Sequence, residues 1–444
     1  MARTSPPRAI GATFNLLNTI LGGGGGIVPL PRCVRLTGLR IAPALLISCA
    51  ALSAYSACAL VTTSCIVRAR TYQGVARRTI GRNGATTVQV LIVCLTFGIS
   101  VAVIDIFADV VPSLLHLSRT TTVVLAGGTV TPIVALVRRI ERLAVISVAA
   151  SALVAAFVCF VCLHHFVSVP NEAEALPAAP TTSAVLEASS IVNLSFLCHF
   201  NLLPLFQSLS SQSQVKSSQS LPDAPTLAVR HAMFGVILIA TLLALLVYAS
   251  VGVLGFLAFR EHTSGNAFAD YATVGRTGRA LNNAIAAAQL ISLPLLVHEG
   301  VCELVELLGA CGAGEKSGRD VLTEQRTLLG SALPRVDSDG ELVVAGEAPG
   351  QAAARRERLC GAVWCAAATC VAIYAADTSK VLALVAALCG APLMSVLPLV
   401  MLLRSNHRMG PAGVVLNVAL LALGAAVTAA SAISAVSGAF AAGS

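Results

Sequence analysis

Two stretches of this 444-residue chain place polar or backbone chemistry inside apolar sequence. The first is Gly22–Gly26, five consecutive glycines within the hydrophobic run Ala9–Pro31. Glycine in a helix interior costs about 1 kcal/mol relative to alanine, so five together, followed by Pro29 and Pro31, predict a broken helix. A break releases N–H and C=O groups, which a bilayer tolerates only where protein or a water-filled cavity satisfies them. In transporters such breaks form substrate and ion sites near the midplane. Close helix packing through small residues is the alternative reading. The second stretch is SFLCHFNLLPLFQSL, Ser195–Leu209, where His199 and Asn201 are costly in hydrocarbon and Pro204 removes a backbone donor. It predicts a second break.

Other ionisable residues sit in or near apolar runs. Asp105 and Asp109, four apart on one helix face, read either as a cation vestibule or as solvated helix-end carboxylates. His199 titrates near neutrality and reads as a proton carrier or as a hydrogen-bonded structural histidine. His298 and Glu299 read as interfacial. The pair His164–His165 after Cys159 and Cys162 is a weak metal pattern, and most of the fourteen cysteines lie in apolar runs, where a thiol acts as a small hydrophobe. Asn193-Leu-Ser195 matches a glycosylation acceptor but falls inside an apolar run, which rules it out.

The elements that must position these residues follow from composition. Hydrophobic residues make up 56% and charged residues 11% of the chain, with a mean hydropathy of +0.83. Soluble domains carry roughly 25% charged residues, and a spanning helix needs about 20 apolar ones. The chain therefore reads as an all-α integral membrane protein with about 11 transmembrane helices, near 10–31, 41–67, 86–111, 121–137, 143–166, 188–209, 231–259, 281–306, 360–376, 381–403 and 411–440. Asp377–Lys380 alone separates the ninth and tenth spans, a tight helical hairpin. The span carrying the first break is too long for a signal-peptide core.

Placing the N-terminus in the cytoplasm puts 21 of the 29 lysines and arginines inside, while the loop 167–187 has none and holds Glu172, Glu174 and Glu187. The C-terminus then lies outside, and Arg32, Arg35 and Arg40 fall on the minority side. The net charge of +8 thus orients the protein toward anionic lipid and does not signal nucleic acid. The segment 309–358 mixes Gly, Ser, Pro and charges without hydrophobic periodicity and reads as a mobile cytoplasmic insertion.

The two breaks fall five spans apart, as an inverted repeat predicts. The expected layout is a cytoplasmic N-terminus 1–8, a first five-helix repeat 9–166, an outer loop 167–187, a second repeat 188–403 and an eleventh helix 411–440.

The first span, TFNLLNTILGGGGGIVPLP, resembles the opening motif of the amino acid/auxin permease family, an asparagine before a Gly-x-Gly turn and an apolar run to proline. It contains two extra glycines, so either Gly22–Gly24 or Gly24–Gly26 matches the turn. FLCHFNLLPLFQSL is similar to the Cys-His followed by Leu-Pro-Ile of the sodium-coupled neutral amino acid transporter branch. TPIVALVRRIERL (Thr131–Leu143) resembles the family's exit from span four, and VGVLGFLAF (Val251–Phe259) its span-seven Gly-Tyr-x-x-Phe, with Phe256 in place of tyrosine. The resemblance covers essentially the whole chain.

That resemblance implies a LeuT-type fold, a 5+5 inverted repeat plus one helix, and alternating-access movement of amino acids, neutral ones first, driven by a Na⁺ or H⁺ gradient. Substrate would meet Gly22, Gly23, Gly24, Gly25, Gly26, His199 and Asn201. Half-helix N–H groups would face its carboxylate, and freed carbonyls a cation or the ammonium. Asn18 and Ser292 would be the Na⁺ ligands, with a packing role the alternative for Ser292. The implied partners are an amino acid and the lipid bilayer, the transport unit is a monomer without other cofactor, and the membrane is the plasma or vacuolar/lysosomal one.

Rival classes separate on sequence. The chain has no Walker motif for ATP-driven pumping, no continuous polar stripe for a channel, and no catalytic pair with motif-level spacing for an enzyme. An amino acid sensor using the same pocket, signalling through 309–358, is the alternative to a transporter.

Overall fold

A computed structural model describes residues 6–22, 26–110, 117–130, 140–168, 179–214, 227–312, 335–336, 342–343, 351–375, 377–405 and 409–441. Apart from two paired two-residue strands, β1 (Arg335–Val336) and β2 (Leu342–Val343), the regular structure among them is helical. The protein is an all-α, integral multi-pass membrane protein. Among the described residues, seven helical stretches are long and apolar enough to cross a bilayer: Leu30–Val67, Arg82–Val110, Thr182–Ser210, Leu227–His262, Gly275–Gly309, Thr378–Arg404 and Pro411–Ser437. Three more of the expected spans lie on shorter apolar stretches, Ala9–Leu21, Ala152–Ser168 and Arg358–Tyr374. The fourth expected span begins as helix Arg119–Leu125 and a π turn, Ala126–Val130, and its remainder, 131–139, lies outside the described residues.

Helix α1 (Pro6–Gly22) stops at the first glycine of the run. Gly23–Gly25 lie outside the described residues, and Gly26–Pro29 form a turn before α2 (Leu30–Val67). The first span was expected to end at Pro31. Instead the chain re-enters a helix there, because proline in a first turn has the right φ and no N–H to waste. Gly38, at φ 75°, bends α2 where only glycine adopts the backbone comfortably, so the last two residues of the first expected span, the interval 32–40 and the second span lie in one kinked helix.

Helix α3 (Tyr72–Thr79) is capped by the Thr71 hydroxyl, which accepts from the Gly74 N–H at 3.0 Å, and leads into α4 (Arg82–Val110). α5 is Arg119–Leu125, α6 Ile140–Ser168 and α7 Thr182–Ser195. The second break is Phe196–Cys198, followed by α8 (His199–Gln214). Pro204 was expected to mark this break but sits inside α8, where neighbouring helices stabilise an imperfect backbone ladder.

The remaining helices are α9 (Leu227–Phe259), α10 (Ala267–Ala272), α11 (Gly275–Gly312), α12 (Gln351–Tyr374), α13 (Thr378–Val385), α14 (Leu397–Arg404) and α15 (Pro411–Ala441). Two π turns, Ala386–Gly390 and Pro392–Val396, join α13 to α14. The segment expected at 309–358 is shorter than read, since α11 runs on to Gly312 and α12 begins at Gln351.

Two sets of helices stand out in the packing: α1, α2, α7, α8 and α9 pack on one another, α4, α5, α11 and α12 on one another, and α6 and α13 touch members of both sets. The core is apolar and aromatic: Phe196 stands edge-on to Tyr248, and Phe157 and Phe160 of α6 and Phe259 of α9 surround Tyr271 of α10. Exposed Leu238, Ile239, Leu242 and Leu246 on α9, and Val415, Leu423 and Ile433 on α15, present the apolar surface a bilayer requires.

Candidate functional site

The two breaks meet. Gly26 packs so tightly on the end of α7 that a Cβ there would lie 2.7 Å from Ser195 Cα, so the residue must be glycine. The Ser195 hydroxyl lies 2.9 Å from the Gly26 carbonyl and 2.9 Å from the Ile191 carbonyl, sharing one proton between them. The Tyr248 hydroxyl, on α9, lies 2.7 Å from the Ile20 carbonyl in the last turn of α1 and 2.7 Å from the Ser195 carbonyl at the end of α7. From α2, Ser53 Oγ donates to the Phe196 carbonyl at 2.8 Å, and Ser56 Oγ pairs with His199 Nε2 at 2.9 Å. Val28, in the first break, accepts from the Ala267 N–H at 3.0 Å.

The arrangement follows from helix ends. Each helix leaves its last four carbonyls without an internal partner, and in hydrocarbon these must be satisfied by protein. Here three buried hydroxyls, of Ser53, Ser195 and Tyr248, take up carbonyls freed by both breaks. Two half-helix N-termini, at Leu30 and His199, bring positive dipole ends toward the same region as the negative ends of α1 and α7.

Sequence reading reached part of this centre. Gly22 closes α1 and Gly26 opens the turn, while Gly23, Gly24 and Gly25 lie outside the described residues. His199 is fully buried as the first residue of α8, with Nδ1 unpartnered among the described residues. Asn201, two residues further along, is half-buried. Asn18 is half-buried on α1, one turn before the run. Ser292 lies on α11, and its hydroxyl donates to the Ala288 carbonyl of its own helix at 2.8 Å, which leaves its lone pairs free.

Ser53, Ser56, Ser195 and Tyr248 were missed. The available signal was Tyr248 itself, a phenol on a strongly apolar span, which must find an acceptor when buried.

Two charged networks lie toward one end of the bundle. Arg32, in the first turn of α2, bridges Glu187 of α7 at 3.0 Å and Asp377 at 2.8 Å. Asp377 caps α13 through the Ser379 N–H at 3.0 Å. Burial alone would raise its pKa, but the Ser379 hydroxyl and the Arg32 guanidinium outweigh that and hold the carboxylate below its ordinary range.

The neighbouring network corrects the reading of Asp105 as a vestibule or solvated carboxylate. Asp105 is completely buried, ion-paired to Arg119 and bonded to Thr378 Oγ1 at 2.5 Å. Arg119 also reaches Asp109 at 3.2 Å and the Ala375 carbonyl at 2.6 Å. Among the described residues no group of three or more His, Cys, Asp or Glu side chains is placed to hold a metal ion, His164 and His165 included.

At the opposite end, Tyr72 donates to the Leu393 carbonyl at 2.6 Å, and Gln73 of α3 donates to Glu303 of α11 at 2.5 Å.

A family profile described as transmembrane amino acid transporter protein matches residues 8–437. Among curated proteins, the chain is 26% identical over 283 residues to amino acid transporter AVT6E of Arabidopsis thaliana, covering 59% of this chain and 54% of that protein. It is 32% identical over 101 residues to amino acid transporter AVT6D of the same plant, covering 23% of this chain and 22% of that protein. The alignment thus spans about half the length of the first of these relatives. With the profile running over nearly its whole length, the chain belongs to the transmembrane amino acid transporter (amino acid/auxin permease) family.

Proposed function

We propose that this chain is a secondary active transporter that moves amino acids, neutral ones first, across a membrane by alternating access. The observation that carries the reading is the pair of helix breaks facing each other, their freed carbonyls gathered by Ser195, Tyr248 and Ser53. Substrate carboxylate would sit at the half-helix N-termini of α2 and α8, and its ammonium near the ends of α1 and α7. Gly22–Gly26 would let it approach the backbone, with His199 and Asn201 beside it. The relatives' names, both amino acid transporters, support this substrate class.

The five-plus-five repeat with an added eleventh helix is the architecture we favour. The two packing groups each combine helices from both halves of the chain, as two interleaved repeats would. In this reading the N-terminus is cytoplasmic, and one group rocks against the other around the breaks. The likeness of Cys198-His199 followed by Leu203-Pro204 to the sodium-coupled neutral branch supports reading Asn18 and Ser292 as ligands of the coupling ion, Na⁺ or H⁺.

Reconstitution tests the whole reading. Purified full-length protein in proteoliposomes should concentrate labelled neutral amino acids when an inward Na⁺ or H⁺ gradient is imposed. Saturable binding without uptake would instead make the chain a sensor. Asn18→Ala should abolish any sodium-dependent component; if that component is unchanged, Asn18 is not an ion ligand.

A further inference from the structure

α6 and α11 pack on each other yet leave an open furrow between them, with a volume of about 660 Å³. Residue size explains the gap. Gly278 of α11 takes the Phe160 ring so closely that a Cβ there would stand 3.1 Å from Cζ. Beside that contact the facing side chains are short: Ala156 and Cys159 on α6, Thr277 and Ala280 on α11. Ala156, Cys159 and Phe160 recur at i, i+3 and i+4, so they form one continuous wall. The furrow is within the range of about 300–1,000 Å³ that takes small ligands. Its walls belong to the apolar stretches Ala152–Ser168 and Gly275–Gly309, where the surrounding medium is hydrocarbon.

One charged residue lines the furrow, Arg276 in the first turn of α11. This is the ion-pair end of the bundle, because Asn266, the cap of α10, reaches Asp109 at 3.4 Å. Arg276 is exposed and takes part in none of the ion pairs among the described residues. Arg279, one turn on, is a second exposed cation. Neither wall can neutralise them, since residues 152–168 and 275–298 contain no Asp or Glu. Asp270 of α10 is already engaged, accepting from the Ser264 N–H at 3.0 Å. The furrow therefore joins an apolar trough to uncompensated positive charge at its mouth. A guanidinium matches a phosphate with two parallel bonds, and the second cation favours a head group of net negative charge. Lipid tails are as apolar as the trough, so the trough fixes where a chain lies while the head supplies the preference.

We propose that this furrow binds one anionic phospholipid from the leaflet at the ion-pair end, its phosphate on Arg276 and an acyl chain along Ala156, Cys159 and Ala280. Seated there, the lipid touches α6 and α11 at once and ties them together. The site goes beyond the transporter reading and does not depend on it.

Native mass spectrometry of the full chain tests it, with equimolar dioleoylphosphatidylglycerol and dioleoylphosphatidylcholine in the detergent. Wild type should retain one phosphatidylglycerol in preference to phosphatidylcholine by about fivefold, the effect of one cation near an anionic head group. Arg276→Ala should erase that preference, while Arg40→Ala, which removes an exposed cation of α2 outside the furrow, should keep it. Ala156→Phe changes no charge but fills the trough, and should lower bound phosphatidylglycerol by about fivefold. Ala155→Phe, on the neighbouring exposed position, should not. If Ala156→Phe is not monodisperse, Ala280→Leu replaces it with the same expectation. Inorganic phosphate in excess should leave the lipid bound. Equal retention of the two lipids by wild type would overturn the proposal, as would equal losses in Arg40→Ala and Arg276→Ala, which mean diffuse surface attraction. So would full retention by the filled variant, or displacement by inorganic phosphate, which means an anion site without a chain. A lipid-free dimer that Ala156→Phe disperses would give the furrow to a second copy instead.

Discussion

The two ends of the bundle are closed by different physics. The four ion pairs among the described residues, from Arg32 to Glu187 and Asp377 and from Arg119 to Asp105 and Asp109, cluster at one end. Both networks converge on the first turn of α13, through Asp377 and Thr378. At the other end the helices are joined through a phenol on a carbonyl and an amide on a carboxyl. Charge-assisted bonds are about twice as strong as neutral ones, and separating partly buried charges leaves each desolvated without its partner. The difference teaches that the Arg32 end is held by a charge lock centred on α13, and the Tyr72 end by a weaker latch on α3. A protein that opens one end at a time would open the latch more readily.

The largest test removes the most deeply buried charge. Asp105→Asn leaves Arg119 facing a neutral amide; since Asp105 is wholly buried but Arg119 about one-third exposed, we expect a loss of about 2–3 kcal/mol, discounted for solvent at the arginine. Thermal unfolding of the purified protein would show it, and a midpoint unchanged from wild type would break the charge-lock account. Arg32→Gln comes next. It strips two carboxylates of their cation, and amide hydrogen exchange in the first turn of α13, at Ser379 and Val381, should speed by about tenfold while α3 stays as in wild type. Equal acceleration at both ends would show that the ends do not behave independently.

How much of this was legible in the sequence differs by feature. The helices were, because a bilayer imposes length and apolarity on every span, and the glycine run announced the first break through backbone cost alone. The second break was expected within Ser195–Leu209, from the cost of His199 and Asn201 in hydrocarbon and from Pro204, and it does fall in that segment. The actual site, Phe196–Cys198, contains neither glycine nor proline. It exists because Tyr248 and Ser53, distant in sequence, take its carbonyls, and no local pattern encodes that. Asp105 was misread for the same reason. Its i, i+4 spacing with Asp109 shows a shared face but not what the face meets, and Thr378 lies 273 residues away.

A smaller effect is expected at the latch. Tyr72→Phe removes one hydroxyl and leaves the buried Leu393 carbonyl unsatisfied, a loss of about 1 kcal/mol. Exchange of the α3 amide of Val75 should rise about fivefold with α13 unmoved, the mirror image of Arg32→Gln. A larger response from Tyr72→Phe than from Arg32→Gln would invert the ranking of the two ends.

The finest test uses acid on the charge lock. The carboxylate of Asp377 is held below its ordinary value of 3.8 in the folded protein, so the unfolded chain takes up a proton first as pH falls. Its stabilisation is therefore complete above the ordinary value and is lost as pH drops through the folded one. Asp377→Asn cannot ionise, so the stability difference between wild type and variant should be about 1 kcal/mol near neutrality and shrink toward zero below that range. Glu187 also faces Arg32, which is why the comparison must be made between these two proteins and not on wild type alone. A difference that stays constant across the acid range would mean that Asp377 acts as a helix cap, a role asparagine also fills, and that Arg32 draws its hold from Glu187.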